Sequence, residues 1–118
     1  MPEQIIIEDY NPDWPKMFEA ERDNIFKALE NRVSIEHIGS TAVPGLAAKP
    51  IIDIMIGLNH LEKAKKCIRP LEQIGYEYIP SYEIIIPERR YFCKSLFDKE
   101  TFHLHMVEYG SDFWLRHI

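Results

Sequence analysis

The sequence is poor in cysteine, has no excess of basic charge and has no long apolar run, and each absence excludes a class of protein. Its two cysteines, Cys67 and Cys93, lie far apart and match no zinc-binding spacing, so we expect free thiols in a reducing compartment rather than a disulfide. The formal net charge of −5 argues against a general surface for nucleic acid or anionic membranes. No apolar segment approaches the ~20 residues that span a bilayer.

The remaining composition predicts one globular domain in the cytoplasm. The first residues lack the basic stretch and apolar run of a signal peptide. Hydrophobic residues make up 46% of the chain and charged residues 28%, a mixture that buries a core and is not typical of disorder. A length of 118 residues suits a single core. We therefore predict one domain over residues 1–118.

Hydrophobic periodicity predicts a mixed order of strands and helices. An amphipathic helix is expected over residues 14 to about 30, where Phe18, Ile25 and Leu29 recur at helical spacing. Strands are predicted at 4–8, 33–38, 50–58, 76–79, 82–86, 90–97 and 102–108, and further helices at 61–74 and 110–118. Pro70 should bend or shorten the second helix. Strands that follow one another without a helix imply antiparallel or mixed pairing, so we predict an α+β fold with a mixed β-sheet flanked by helices.

The segment that carries most chemical information runs from Glu36 to Asp53. A predicted strand ends at Gly39 and Ser40, where a glycine lets the backbone approach a phosphate closely. Successive N–H groups, with the hydroxyls of Ser40 and Thr41, could cradle an anion. Asp53, on the next strand, could then hold a divalent cation that bridges the phosphates. A Gly-Ser turn is also common as a turn alone, so this motif by itself is weak.

Asp53 is the most informative single residue, because it interrupts an otherwise apolar strand. A carboxylate buried in such a strand is costly unless it is paired or bound to a metal. The alternative is that Asp53 lies at a strand edge and pairs with Lys49 or an arginine. We favour a functional role for this carboxylate.

Two histidines could complete a site around Asp53. His103 and His105 are two residues apart on a predicted strand, so their side chains share a face. Together with Asp53 they would form a ligand group suited to Zn²⁺, Mn²⁺ or Fe²⁺ more than to Mg²⁺, and His105 could act in proton transfer. Glu108 has an odd offset and should face the other way. The alternative is that the histidines face solvent or bond across the sheet.

Cations for phosphate binding are predicted at Lys49, Arg89 and Arg90. Arginine offers a bidentate fork for phosphate, whereas lysine acts as a point charge. A solvated Pro-Glu-Arg-Arg turn explains the arginines equally well. Glu36 and His37 must face opposite ways, so at most one enters the site, and we favour His37.

The sequence resembles the GrpB-like family of the nucleotidyltransferase superfamily fold. The resemblance is carried by the segments NPDWPKMFEAE, IEHIGSTAVPGLAAKPIIDI, RRYFCKS and HLHMVE. It implies the nucleotidyltransferase-like fold, and related domains occur attached to dephospho-CoA kinases. The family usually continues into a helical C-terminal section, and we expect this sequence to be either a truncated chain or a short member without it. If that section is missing, an apolar face is left open and could drive formation of a homodimer.

One position departs from the superfamily pattern that the resemblance implies. That pattern places a second carboxylate two residues after the first, on the same face, where the pair can share two metal ions. Met55 occupies the second position. Hard cations such as Mg²⁺ need oxygen ligands, so Met55 weakens the case for two-metal nucleotidyl transfer.

Three functions remain open from the sequence. The first is metal-dependent nucleotidyl or phosphoryl transfer, with Asp53 and His105 as catalytic residues and Mg²⁺, Mn²⁺ or Zn²⁺ as the cofactor. The second is a non-catalytic module that binds a nucleotide or another phosphorylated small molecule in a degenerate site. The third is a metal held for stability alone. In each case we expect no membrane and no general nucleic-acid partner.

Overall fold

A five-stranded mixed sheet forms the centre of the computed structural model, which describes residues 6–118. The helices are α1 (Trp14–Ala28), α2 (Lys65–Gln73) and α3 (Asp112–His117), and the strands are β1 (Ser34–Ile38), β2 (Ile52–Leu58), β3 (Tyr76–Tyr78), β4 (Arg90–Leu96) and β5 (Lys99–Glu108). The strand order is β1-β2-β5-β4-β3. Strands β2 and β5 run parallel and every other neighbouring pair is antiparallel. The predicted α+β fold with a mixed sheet is confirmed.

The main core lies between the sheet and the pair α1 and α2. From β2, the side chains of Ile52, Ile54 and Ile56 point to this side and are fully buried. They alternate with Asp53 and Met55, which point to the opposite face because successive side chains of a strand change sides. The apolar residues of β2 therefore contribute to both faces of the sheet. Asp53 lies on the face that α1 and α2 leave uncovered.

The second face of the sheet is partly covered by the short helix α3. Phe113 and Trp114 of α3 pack with Met55 and Val107 in a small apolar cluster. Gly57 allows this packing, because a Cβ atom at this position would lie 2.7 Å from the Trp114 ring. The helix covers only one end of this face, and the polar residues at the other end stay accessible.

The predicted strand over residues 82–86 is wrong. Residues 82–84 belong to a short 3-10 helix, Pro80–Ile84, which begins with a proline, and residues 85 and 86 follow it without strand structure. Ile84 and Ile85 are 87% and 76% exposed, so their apolar character does not serve the core. The hydroxyl of Tyr78 bonds to the carboxylate of Glu83, which ties this turn to the end of β3.

Two smaller predictions need adjustment. The helix expected over residues 61–74 is divided into a 3-10 turn, Leu61–Ala64, and the nine-residue α2, which contains Pro70. The strand expected at residues 4–8 begins outside the described residues. Within the described part, Glu8 forms an isolated antiparallel bridge with Ala48.

A tight hairpin joins β4 to β5 and contains an irregularity. Phe97 and Asp98 have φ of 52° and 64°, the left-handed values that a two-residue hairpin turn requires. The pairing then shifts between Lys94 and Ser95. Thr101 is the extra residue on β5, since Lys94 pairs with Phe102 whereas Ser95 pairs with Glu100. This β-bulge changes which side chains of the hairpin face Asp53.

A buried ion pair connects α1 to β4 on the core side. Glu21 of α1 is 4% exposed and its Oε2 accepts hydrogen bonds from Lys94 Nζ at 2.9 Å and from the Tyr76 hydroxyl at 2.5 Å. Burial and the neighbouring carboxylate raise the pKa of Tyr76, so the phenol keeps its proton and donates it. Within residues 6–118, no helix has the length and apolar character needed to cross a membrane.

Candidate functional site

Asp53 lies near the start of β2, between Ile38 of β1 and His103 of β5 in the sheet register. Its side chain is 32% exposed, so the carboxylate is accessible although its strand neighbours are buried. Because Asp53 stands on the face away from α1 and α2, it meets solvent instead of the main core. The sequence analysis considered a carboxylate buried within an apolar strand, whereas in the structure the Asp53 side chain is partly exposed.

Gly39 packs directly against the Asp53 carboxylate. It has φ of 76° and ψ of −168°, a region of backbone conformation that is essentially restricted to glycine. A Cβ atom at this position would lie 2.8 Å from Asp53 Oδ2. The backbone therefore turns from β1 into the 3-10 helix Ser40–Ala42 at a distance from Asp53 that no other residue type permits.

A shallow cavity of about 170 Å³ opens beside Asp53. Its lining residues are Ile7, Ser40, Lys49, Ile51, Asp53 and His103. The structure thus brings four of the predicted site residues together from three parts of the chain. Their role in binding stays a prediction, but their convergence gives that prediction a defined place.

His105 holds Asp53 through a chain of hydrogen bonds. Its Nε2 lies 3.0 Å from Asp53 Oδ1, and its Nδ1 lies 3.3 Å from a guanidinium nitrogen of Arg89. A guanidinium only donates hydrogen bonds, so Nδ1 is the acceptor and Nε2 carries the proton that is donated to Asp53. Both ring nitrogens are occupied in this arrangement. His105 therefore orients the carboxylate instead of presenting a free nitrogen to a metal.

Aromatic rings surround this chain of bonds. The Tyr91 ring lies 5.4 Å from the rings of both His103 and His105, and the Arg89 guanidinium stacks over Tyr91 at 4.9 Å. Phe113 of α3 stacks on His105 at 6.2 Å. Tyr91 is itself buried. Its contact with the site was missed because it depends on the β4–β5 register.

His103 stands on the same face as His105, as its two-residue spacing predicts. Its Nδ1 is 3.8 Å from Asp53 Oδ1 and its Nε2 is 3.4 Å from Glu100 Oε1. Burial lowers the pKa of His103, and the nearby Asp53 and Glu100 carboxylates oppose part of this effect. The lowered pKa favours a neutral imidazole, which is the form that binds metals.

The structure does not bring Arg90 or the Thr41 hydroxyl to Asp53. Arg90 lies on the core face of β4, where it donates to the Pro87 carbonyl at 2.8 Å and lies 3.6 Å from Glu83. Thr41 is buried and its hydroxyl bonds to His37 at 2.9 Å. The arginine that reaches the site is Arg89.

The expectation that His37 enters the site is also not met. His37 pairs with Ile54 and therefore shares the face that packs on α1, where its ring stacks on Phe18 at 4.8 Å. Glu36 pairs with Met55 and shares the face of Asp53. Glu108 is exposed, and its carboxylate accepts a bond from the Leu61 amide, in line with the prediction that it does not join the site.

The environment of His37 predicts a loss of stability in mild acid. Burial lowers the pKa of His37 below its ordinary 6.5, although Asp53 opposes this effect. As pH falls through about 6.5, His37 becomes protonated in the unfolded chain but stays neutral in the folded chain. The free energy of unfolding therefore decreases until the pH falls below the lower pKa of His37 in the folded state. Urea unfolding between pH 7.5 and 5 should show this decrease, and a smaller one in His37→Gln. Identical slopes in the two proteins would contradict the assignment.

Met55 occupies the position of the second carboxylate and is fully buried. It packs among Ile38, Val107 and Trp114 in the small cluster beneath α3. An oxygen ligand is therefore absent at this position, and the surroundings are apolar. The geometry fits one cation at Asp53 and does not fit a pair of ions shared between two carboxylates.

Sequence comparison finds relatives that match most of this chain. Residues 4–118 match a family profile described as GrpB protein. The protein YqkA of Bacillus subtilis (strain 168) is 36% identical over 110 residues, which are 92% of this chain and 31% of YqkA. The glutamate-rich protein GrpB of Alkalihalophilus pseudofirmus is 32% identical over 121 residues, covering 98% of this chain and 68% of that protein. The chain thus spans about a third of YqkA.

Structural comparison gives the same result. The crystal structure of the conserved protein GrpB from Enterococcus faecalis superimposes with a TM-score of 0.85 and 38% sequence identity. The match covers 95% of this chain and 67% of the Enterococcus chain. The chain belongs to the GrpB family, whose members share the nucleotidyltransferase-like fold.

Proposed function

We propose that this chain binds a nucleotide or another phosphorylated small molecule beside Asp53, together with one divalent cation. The observation that carries the proposal is the cavity itself, where Asp53 meets Ser40, Lys49 and His103. A carboxylate, a hydroxyl, an amine and an imidazole converge there from separate parts of the chain. This combination of groups suits a cation and a phosphate bound side by side.

The phosphate side of the cavity is formed by Ser40 and Lys49. Both residues are exposed, and among residues 6–118 no carboxylate forms a salt bridge with Lys49. Its positive charge is therefore available to an incoming anion. The backbone at Gly39 lies close to Asp53, so a phosphate held by the amides of this turn would lie next to the carboxylate.

The cation side of the cavity is formed by the accessible Asp53 carboxylate. The residues present fit a single hard cation, with water and phosphate oxygens filling the other positions, as is usual for Mg²⁺ and Mn²⁺. Zn²⁺ could also use the nearby imidazole of His103. When bound, such a cation would neutralise phosphate charge.

The size of the cavity limits what it can enclose. Drug-sized ligands usually occupy sites of ~300–1,000 Å³, whereas this cavity holds about 170 Å³. It is large enough for a phosphate group with its cation, and a base or other moiety would extend over the adjacent surface. Recognition should therefore depend strongly on the phosphate.

A second candidate function is nucleotidyl or phosphoryl transfer at the same carboxylate. It is favoured by the hydrogen-bonded chain from Arg89 through His105 to Asp53. These hydrogen bonds place a proton on His105 Nε2 and fix the orientation of the Asp53 carboxylate. They also place the cationic Arg89 guanidinium on the far side of the imidazole. Transfer of this kind depends mainly on positioning and charge neutralisation. The buried Met55 argues for a single cation in either function.

Ligand-dependent thermal stabilisation tests the proposed function. Melting curves should be recorded with ATP, GTP, CTP, UTP and dephospho-CoA, each with Mg²⁺, Mn²⁺ or Zn²⁺. A ligand at about 100 times its Kd adds ~2.7 kcal/mol to stability, which is on the order of 10 °C for a domain of this size. We expect a shift, beyond any that the metal alone produces, that requires both a metal and a phosphorylated compound.

The Asp53→Asn variant is the central control, because it keeps the shape of the side chain and removes its charge. The shift should vanish in Asp53→Asn and weaken in Lys49→Gln, whereas Lys99→Gln, an exposed lysine on the hairpin, should retain it. If metal and nucleotide still raised the melting temperature of Asp53→Asn, the proposed cation site would be excluded. An assay for pyrophosphate or phosphate release with the stabilising ligand then separates transfer from binding alone.

A further inference from the structure

A group of metal-binding side chains lies beside the phosphate cavity, on β4 and β5. One ligand atom from each of Cys93, Glu100 and His103 lies within 4.8 Å of the others. Cys93 and His103 are direct partners in the antiparallel register, so their side chains stand next to each other on the face of Asp53. A thiol, an imidazole and a carboxylate thus point at one volume.

The β-bulge at Thr101 is what brings Glu100 into this group. In a regular strand, residues 100 and 103 would face opposite sides of the sheet because side chains alternate. The extra residue reverses the alternation, so that Glu100 pairs with Ser95 on the face of Cys93. Bulges commonly re-aim a side chain next to a functional site.

His103 has an open coordination position directed at this group. Its Nε2 is buried and, among residues 6–118, makes no hydrogen bond, although Glu100 Oε1 lies 3.4 Å away. A buried ring nitrogen without a partner is costly unless something satisfies it. Its other nitrogen, Nδ1, faces Asp53 at 3.8 Å. In metal sites the second histidine nitrogen is usually hydrogen-bonded to a carboxylate. Asp53 is the carboxylate placed for this role, at a separation longer than a hydrogen bond.

We propose that Cys93, His103 and Glu100 form a Zn²⁺ site, with His103 bound through Nε2. One sulfur, one nitrogen and one oxygen ligand is a set that zinc accepts and that Mg²⁺ or Ca²⁺ does not. Three protein ligands leave a fourth position for water or an exogenous ligand. In this site Asp53 orients His103 and is not a zinc ligand. Binding releases the Cys93 thiol proton to solvent.

The site shares His103 with the phosphate cavity, and its other two ligands, Cys93 and Glu100, do not line that cavity. Its three protein ligands include neither Ser40 nor Lys49, and it does not require a nucleotide. The spacing of the cysteines along the sequence does not indicate this site. The ligands come together because β4 and β5 pair as one hairpin. The two proposals can therefore fail separately.

Cobalt substitution tests the site with the metal alone. The full chain, reduced with a non-thiol reductant and freed of metal by a chelator, should be titrated with Co²⁺ and followed by absorption. Thiolate coordination gives a charge-transfer band in the near ultraviolet, and Zn²⁺ should displace Co²⁺ and abolish it. We expect one Co²⁺ per chain with this band.

The two cysteines of the chain provide a matched pair of variants. Cys93→Ser should lose the thiolate band, whereas Cys67→Ser, on the core-facing side of α2, should keep it. Glu100→Gln, at an exposed position that cannot unfold the core, should weaken Co²⁺ binding by at least the ~10-fold that loss of outer-sphere partners causes. Asp53→Asn should keep the band.

Two outcomes would overturn the proposal. One is Co²⁺ binding without a thiolate band, which would place the metal elsewhere. The other is a band that survives in Cys93→Ser, which would assign it to Cys67. Loss of the nucleotide-dependent melting shift with the cobalt band retained would reject only the proposed function.

Discussion

Replacing Lys94 with methionine is expected to lower the free energy of unfolding by about 3–5 kcal/mol, the usual loss when one partner of a buried ion pair is removed. Lys94 Nζ is 2.9 Å from Glu21 Oε2, and their side chains are 13% and 5% exposed. Without the ammonium group, the Glu21 carboxylate would remain buried with only neutral donors, the Tyr76 hydroxyl and the Asn24 amide. Neutral donors do not compensate fully for a desolvated charge.

The double variant Glu21→Gln/Lys94→Met is the matched control. It removes the charge that Lys94→Met leaves behind, while the glutamine oxygen can still accept the Tyr76 hydroxyl. Most of the lost stability should return, since replacing both partners of a buried pair is often close to neutral. Urea unfolding of wild type, both single variants and the double variant gives the coupling energy directly. A Lys94→Met loss below about 1 kcal/mol, as for an exposed pair, would contradict the burial.

The substitution Gly39→Ala is expected to destabilise the fold and to abolish the ligand-dependent melting shift. The backbone conformation alone costs about 1–3 kcal/mol for a residue with a Cβ atom. In addition, that atom would lie 2.8 Å from Asp53 Oδ2, so the carboxylate or the turn must move. Movement of Asp53 would break its bond with His105 and change the cavity where the cation is proposed to bind.

Gly45→Ala separates these two effects. Gly45 also has a positive φ, 81°, but an added Cβ would meet no atom within 4 Å. This variant should lose stability because of its backbone conformation and should keep the ligand-dependent shift. Gly39→Ala should lose both stability and the shift. Thermal melts with and without the metal and nucleotide provide the comparison. An undiminished shift in Gly39→Ala would mean that the contact between Gly39 and Asp53 does not shape the site.

The sequence predicts the fold wherever periodicity reports burial. The helix α1 was predicted because its apolar residues recur at helical spacing and do pack on the sheet, and β2 because its run is buried on both faces. The stretch at Ile84 and Ile85 has the same apolar composition, but no element within residues 6–118 covers it. Composition alone does not show that a segment lacks a partner, and this is why the predicted strand there is wrong.

For the candidate site, the sequence predicts only which side chains of a strand lie on the same face of the sheet, because side chains alternate between the two faces. The spacing of His103 and His105 places both on one face, and Asp53 reaches that face from the neighbouring strand. Which arginine joins them depends on where β4 begins and how it pairs with β5, and the sequence does not show this register. Glu100 was hidden for a related reason, since a one-residue bulge changed its face.

The position of β5 within the sheet has a consequence for how the chain folds. Strand β5 is the last in sequence, but it lies between β2 and β4. Until it is synthesised, β1 pairs only with β2 and β3 only with β4, and each ribbon has an open edge that is prone to wrong pairing. The parallel junction of β2 and β5 joins residues about fifty positions apart, such as Asp53 and His103, and such long-range contacts form slowly. The centre of the sheet and the candidate site should therefore form only after β5 has been made, with His103 and His105 the last of the site residues to arrive.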